Sequence, residues 1–449
     1  MKKWLLVLAL GMGLAACSGG DVADAASDGA VKDTASGAAS PAYPRCDEAR
    51  DPCFDVAKSV NPYEVTAENH AADTLMLTVR GRVVTAHLPG VYPFGFNAIA
   101  VDASGHVFAV GGPGMRIATN DGKSNIWRIV ALTGYGDYLQ NVAVPGDGKA
   151  FTIGGSYNQI FRTLDGGQTW ESFNKTFESR DDPEYRALKF GEGGGLGALD
   201  VVFADTQLGL VVGRASFFKG GESGEYTNYQ DIGQILRTTD GGQNWAPVAL
   251  PAAFDATILT RASFVDASIG WAVGNQGSVL RTADGGAHWD IVSLNDPKAK
   301  NMRLTALGFS NAQHGCVGGD YAIWCTWDGG RQWQRATTYA PESFDDSDAG
   351  DGKGIYQLVF SDERHGWAVT TQGLILASDD GGKNWKLWMD VAQASNGKLQ
   401  DVQLFGLTVA RGKLWAAGMT GAKPNRPPSE KMVSIGFTYR PLVLSWPTR

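Results

Sequence analysis

Three stretches of the chain share one pattern of apolar and polar positions: FVDASIGWAVGNQGSVLRT at 264–282, FSNAQHGCVGGDYAIWCT at 309–326 and FSDERHGWAVTTQGLILAS at 360–378. An apolar stretch meets a polar turn, and G-W-A-V or its counterpart follows. A Gly-containing turn then leads into an alternating run such as V-L-R-T. Short β-rich runs punctuated by turn residues predict strands, not helices. After each copy a Trp opens a fourth run, as in WDIVSL or WAPVAL. Four antiparallel strands repeated in this way predict the blade of a β-propeller.

A phrase recurs between the third and fourth runs. It reads TLDGGQTW (163–170), TTDGGQNW (238–245), TADGGAHW (282–289), TWDGGRQW (326–333) and SDDGGKNW (378–385), with a worn copy, TNDGKSNIW, at 119–127. Its aspartates are Asp121, Asp165, Asp240, Asp284, Asp328 and Asp380, separated by 44, 75, 44, 44 and 52 residues. The unit is therefore about 44 residues long with insertions in two places. The phrase resembles the Asp-box, or bacterial neuraminidase repeat, Ser/Thr-x-Asp-x-Gly-x-x-Trp. That resemblance implies a turn between the third and fourth strands of a blade.

The chemistry suits a turn. A short carboxylate accepts backbone N–H groups left unpaired there, and glycine takes positive φ without steric cost. Trp170, Trp245, Trp289, Trp333 and Trp385 are expected to cover the turn and pack between blades. Asp284 beside His288 imitates a catalytic pair, but catalysis needs one site and the aspartate recurs on six successive blades. These aspartates read as architectural, and His288, in a slot filled elsewhere by Thr, Asn and Gln, reads as a solvent-facing polar residue.

Six boxes predict six blades, at 95–132, 138–174, 196–250, 258–294, 302–338 and 354–390. Strand-like runs at 404–410, 413–419, 432–438 and 442–446 predict a seventh. The segment 75–88 has hairpin character around Arg80-Gly81 and suits a strand that latches the first blade to the last, hiding unpaired edges. The expected fold is all-β, a seven-bladed β-propeller over 95–449 preceded by an N-terminal segment, 45–94.

The ends and the bulk composition set the context. MKKWLLVLALGMGLAAC has a basic start and an apolar run too short to span a bilayer as a mature helix. Leu14-Ala15-Ala16-Cys17 resembles a bacterial lipobox, which implies removal of 1–16 and acylation of Cys17. Several acyl chains would anchor the chain stably, and Ser18 after the Cys points to the outer membrane, facing the periplasm. Residues 17–44 are small or acidic and read as a flexible tether. A net charge of −8 argues against nucleic acid as a partner, and no cofactor motif is evident.

The insertions at 174–198, 214–233 and 337–355 all fall on the face opposite the boxes, where long connections are often functional. Arg180, Tyr185, Arg186, Phe217, Phe218, Tyr226 and Tyr229 supply the aromatic and Arg mixture favoured at protein-binding hot spots. Asp345, Asp346, Asp348 and Asp351 offer oxygen atoms of the kind calcium takes. They lack the spacing of a known calcium loop and read as a solvated acidic loop, so no metal is expected. An exported chain permits disulfides. Aligning the fourth and fifth blades on their boxes puts Cys316 and Cys325 on neighbouring strands at the places of Trp271 and Arg281, favouring local pairs, Cys46–Cys53 and Cys316–Cys325.

The longer phrase G-W-A-V-G-x-x-G-x-x-L-R-T-x-D-G-G-x-x-W, intact at 270–289, resembles the repeat of the photosystem II assembly and stability factors of chloroplasts and cyanobacteria. The resemblance covers about 95–390 and implies a non-catalytic seven-bladed propeller that holds a membrane protein subunit during assembly. In that family a basic patch serves binding. Here Arg162, Arg237 and Arg281 keep the pre-box Arg, while Cys325 and Ala377 replace it, so the patch is incomplete. The expected partner is another envelope protein, with the membrane contacted through the lipid anchor. The alternative is a sialidase-like glycoside hydrolase or a saccharide-binding module. Sialidases carry an F-R-I-P phrase that this chain lacks, but Glu184, Glu192, Glu222, Glu225 or Glu342 could supply the two carboxylates that hydrolysis requires.

Overall fold

Turn residues cut the chain into short strands, and among the described residues the strands gather into seven sheets. The computed structural model describes residues 66–89, 94–132, 138–154, 159–173, 195–218, 229–341, 354–421 and 439–448. All of them lie in one unit, Val60–Arg449; a separate unit, Met1–Ser59, is outside the described residues.

Three strands, β1 (Thr66–Ala71), β2 (Asp73–Val79) and β3 (Arg82–Leu88), precede the first blade. That blade holds β4 (Gly95–Val101), β5 (Val107–Gly112), β6 (Arg116–Asn120) and β7 (Ile126–Ala131). The second holds β8 (Leu139–Gly146), β9 (Lys149–Gly154), β10 (Gln159–Thr163) and β11 (Glu171–Phe173). In the third, β12 (Gly195–Phe203) pairs with the long β13 (Gly209–Phe218) and β14 (Tyr229–Thr238), followed by β15 (Ala246–Pro247). The fourth comprises β16 (Leu259–Phe264), β17 (Gly270–Gly274), β18 (Val279–Thr282) and β19 (Asp290–Val292). The fifth comprises β20 (Ala306–Phe309), β21 (Gly315–Gly319), β22 (Ala322–Thr326) and β23 (Gln334–Arg335). Next, β24 (Thr337–Thr338) runs parallel to the outer strand of the sixth blade. That blade is β25 (Ile355–Phe360), β26 (Gly366–Thr370), β27 (Leu374–Ser378) and β28 (Asn384–Asp390).

The seventh blade takes β29 (Gln400–Ala410), β30 (Lys413–Gly421) and β31 (Tyr439–Pro447) from the C-terminal end. Its remaining strands come from the other end of the chain: β3 pairs with β31, and β2 pairs with β3. Residue 72 then crosses the seam, and β1 adds an outer strand to the first blade through β7. Residues 66–88 are thus part of the ring, and the run at 432–438 lies outside the described residues. The innermost strands β4, β8, β12, β16, β20, β25 and β29 each touch the next, and β29 touches β4, closing the wheel.

The ring has no single core. Seven apolar clusters lie between successive blades, one per seam. Each sheet is therefore buried on both faces. This explains why G-W-A-V is a continuous apolar run: every residue of β17 and of β26 is buried. Among the described residues no helix is long and apolar enough to cross a membrane.

Candidate functional site

In the second blade Asp165 accepts the Thr169 N–H at 2.9 Å and the Thr163 hydroxyl at 2.8 Å, while Thr163 Oγ1 accepts the Gly167 N–H at 2.8 Å. The same three bonds recur around Asp240, Asp284, Asp328 and Asp380. In the worn copy Asn120 stands at the hydroxyl position and accepts the Gly122 N–H, and Asp121 accepts from Lys123 and Ser124. The indoles of Trp245, Trp289, Trp333 and Trp385 donate to the carbonyl of the second box glycine at 3.0–3.2 Å. Trp170 is buried in the same place without a partner for its N–H.

His288 has a part in this. Its ring Nδ1 meets the second Asp284 oxygen at 2.6 Å, as the side chains of Thr169, Asn244 and Asn384 do in their own boxes. The slot selects a short side chain that can donate. The backbone and ring of His288 hold the Asp284 carboxyl down at about 2. At Asp165, Asp240 and Asp380 partial burial pushes upward and is outweighed by hydrogen bonds from the turn, so these carboxyls also lie below their ordinary value. Such groups stay ionised at neutral pH and have no proton to give a substrate.

A second set of turn carboxylates went unnoticed in the sequence. Between the first and second strands of their blades, Asp205, Asp266 and Asp362 each accept two backbone N–H groups from residues two and three positions on. Asn311 does the same in the fifth blade. The signal was the Asp or Asn directly after each F-V, F-S or F-A. The first box glycine N–H donates to a carbonyl of this turn, as Gly285 does to Ser268 at 2.8 Å, so both turns share one face.

The second box glycine faces the preceding blade. A Cβ there would fall 3.3 Å from Phe108 at Gly167, 2.6 Å from Phe151 at Gly242, 2.9 Å from Leu210 at Gly286 and 2.6 Å from Cys316 at Gly382. These neighbours occupy equivalent positions on second strands, as the registers Phe151↔Arg162, Leu210↔Arg237, Trp271↔Arg281 and Cys316↔Cys325 show. The pre-box arginines are engaged too. Arg237 donates to the Gly285 carbonyl of the next blade at 2.7 Å, Arg162 meets Glu171 at 3.0 Å, and Arg281 lies over Trp271 at 5.6 Å. Arg237 thus ties two blades together, while Arg162 and Arg281 make these contacts within their own.

The innermost strands bulge, at Ala198/Asp200 and Leu259/Arg261 among others, and polar side chains tie neighbouring strands at the channel wall. Asn97 donates to the Leu139 carbonyl at 2.8 Å, and Asn141 donates to Asp200. Asp200 also accepts the Ala262 N–H at 2.7 Å and lies 4.0 Å from Arg261. Arg261 reaches the carbonyls of Thr305 at 3.2 Å and Tyr356 at 3.5 Å, and Thr305 donates to Ile355 at 2.7 Å. Full burial pushes the Asp200 carboxyl up to about 6 against the opposing pull of Arg261, backbone N–H groups and Asn141. A sequence signal existed. Asp200 and Arg261 each stand three residues before the Phe that ends their strand, and Asn141 three before Val144.

On the face opposite the boxes, the third blade differs from its neighbours. β12 pairs with β13 only as far as Gly195↔Ser216, whereas β13 and β14 continue as a two-stranded ribbon through Phe217↔Gln230 and Phe218↔Tyr229. Phe218 and Tyr229 are thereby opposite one another. Arg180, Tyr185, Arg186 and Tyr226 lie outside the described residues, as do Cys17, Cys46, Cys53, the acidic loop and the five candidate glutamates. Cys316 and Cys325 are joined in a disulfide. Among the described residues no three His, Cys, Asp or Glu side chains converge on a metal site.

The family model described as Photosynthesis system II assembly factor YCF48 matches residues 242–340, from the box of the third blade to the end of the fifth. Over that span the chain is similar to photosystem II assembly factors, and the described residues as a whole form a BNR-repeat propeller. No curated protein matches it. Among solved structures, YCF48 from Cyanidioschyzon merolae is 18% identical and matches 79% of this propeller chain and 97% of that chain, with a TM-score of 0.48. YCF48 bound to D1 peptide is 18% identical over 62% of this chain and 74% of that chain, with a TM-score of 0.41. A catalytically inactive virginiamycin B lyase from Staphylococcus aureus with quinupristin is 11% identical over 83% and 99%, with a TM-score of 0.52. The last likeness shows the propeller fold alone.

Proposed function

We propose that this propeller is a non-catalytic envelope lipoprotein, anchored through Cys17 at the outer membrane facing the periplasm, that binds another envelope protein during its assembly. The ribbon of the third blade carries the reading. It leaves the sheet at Ser216 and sets Phe218 opposite Tyr229, residue types favoured at binding hot spots, on the face opposite the boxes. Two further observations support it. The box aspartates are consumed by their own turns, and the matching family model is that of an assembly factor.

The test must separate binding from folding. Deleting 214–233 would remove Ala215, which is buried and paired with Leu196. Replacing 217–230 by Asn-Gly instead joins the cross-strand neighbours Ser216 and Asp231 through a two-residue hairpin turn. In-cell crosslinking from Phe218 or Tyr229 is expected to capture one envelope protein, and in a pull-down of that protein through an affinity tag on the propeller the Asn-Gly variant is expected to lose it with its unfolding midpoint unchanged. Capture that survives the replacement refutes the site. A Cys17→Ser variant is expected in the soluble rather than the membrane fraction, and a panel of chromogenic glycosides is expected to remain uncleaved.

A further inference from the structure

The fifth-to-sixth seam is built differently from its neighbour. In the fourth-to-fifth seam Trp271, opposite Arg281 across the ladder, stacks on Phe309 with ring centroids 3.7 Å apart. Phe309 in turn meets the box residue Trp333 edge-on at 6.3 Å. The next seam repeats that frame, with Phe360 edge-on to Trp385 at 6.0 Å and the box glycine Gly382 beside them. The Trp and Arg are missing from it. The disulfide between Cys316 and Cys325 stands at their positions, with both residues fully buried.

The box turn rests on the bond itself. A Cβ on Gly382 would fall 2.6 Å from Cys316 Sγ and 2.9 Å from Cys325 Sγ, and Cys325 Sγ lies 3.2 Å from the Gly382 carbonyl oxygen. Beside it, His314 Nε2 meets the Gly381 carbonyl at 2.8 Å. At the outer rim the same two blades are tied again, since Thr337 N–H donates to Lys383 and Tyr339 N–H to Trp385. The sulfurs are enclosed between two anchored parts.

We propose that Cys316–Cys325 is a redox-sensitive wedge whose reduction by a dithiol loosens the fifth-to-sixth seam and no other. In the reaction the dithiol's sulfurs join in a new disulfide, two electrons cleave the Cys316 Sγ–Cys325 Sγ bond, and two protons end on the freed cysteine sulfurs. Two thiols cannot stay at bonding distance, so the sulfurs must move apart. The interior around them is close-packed and resists added volume. The wall that can give is the Gly381–Gly382 turn, held across the seam by hydrogen bonds and packing rather than by covalent bonds.

The experiment is hydrogen exchange on the full chain before and after dithiothreitol, which stays in the reduced sample, with freed thiols counted by alkylation of a separate denatured aliquot. Reduction is expected to speed exchange at least tenfold in 315–326 and 355–385 and to leave 259–292 unchanged. Unchanged exchange everywhere, or an equal rise in every blade, overturns the proposal. A Cys316→Ala/Cys325→Ala variant adds no volume at the seam while keeping Cys46 and Cys53. Its exchange in 355–385 is expected to ignore dithiothreitol; a response to the reductant would refute the wedge. A Cys46→Ser/Cys53→Ser variant is expected to respond as wild type does, and its failure to respond would place the effect at the other pair.

Discussion

Two adjacent glycines of one box allow backbone strain to be separated from packing between blades. Gly166 and Gly167 both have positive φ, +74° and +87°. A Cβ on Gly166 would meet nothing within 4 Å, whereas one on Gly167 would fall 2.8 Å from the Thr119 methyl and 3.3 Å from Phe108, both on the first blade. Gly166→Ala should therefore cost only the left-handed backbone penalty, roughly 1–2 kcal/mol. Gly167→Ala should add an overpacking cost of roughly 1–3 kcal/mol, for a total of about 2–5 kcal/mol. Denaturant unfolding of both variants measures the difference. Thr119→Ser removes the crowding methyl, so in the Gly167→Ala background it should recover at least about 1 kcal/mol as a coupling energy, and in the Gly166→Ala background nothing. Equal costs for the two alanines, or no relief from Thr119→Ser, would refute the view that the second glycine is a contact between blades.

Three other outcomes follow from the same geometry. The Asp200 carboxyl, about 3.8 when unfolded and about 6 when folded, binds its proton more tightly in the native state, so stability should rise as pH falls from 6 towards 4. By linkage the gain is of order 3 kcal/mol; Asp200→Asn should abolish that slope in pH-dependent urea unfolding, and a slope kept by the variant would assign it elsewhere. The box carboxylates act oppositely. Their folded values are depressed, to about 2 at Asp284, so the stability they contribute is lost as pH falls below about 4, and the stability curve should peak between the two regimes. Asp284→Ala should lose the bonds from His288 and Thr282 and cost about 0.5–1.5 kcal/mol by urea unfolding, without changing capture of the partner. Arg237→Ala should cost about 1–3 kcal/mol, because the buried Gly285 carbonyl loses its charged donor, with hydrogen exchange rising first in 282–290.

Six of the blades were legible because each is local. Four strands and their turns lie within one stretch of sequence, and the box turn closes through bonds no more than four residues apart, as from Thr282 to Gly286 and Asp284 to His288. The aspartates could be assigned to architecture for the same reason, since their partners sit in the phrase itself. The long β13–β14 ribbon was visible as an insertion rich in Phe and Tyr, although most candidate binding residues around it lie outside the described residues.

Six repeating units, their Asp-box turns and the all-β class were determined by the sequence alone, because alternation, turn chemistry and a short-range clasp are properties of neighbours along the chain. Only the tertiary structure decided what lies between units. It made the second glycine a seam contact, set Arg237 on the next blade's box, joined Asn141, Asp200 and Arg261 across three strands, and brought β3 beside β31. Those partners are tens to hundreds of residues apart, and curling the sheets into a closed ring is what brings them within bonding distance.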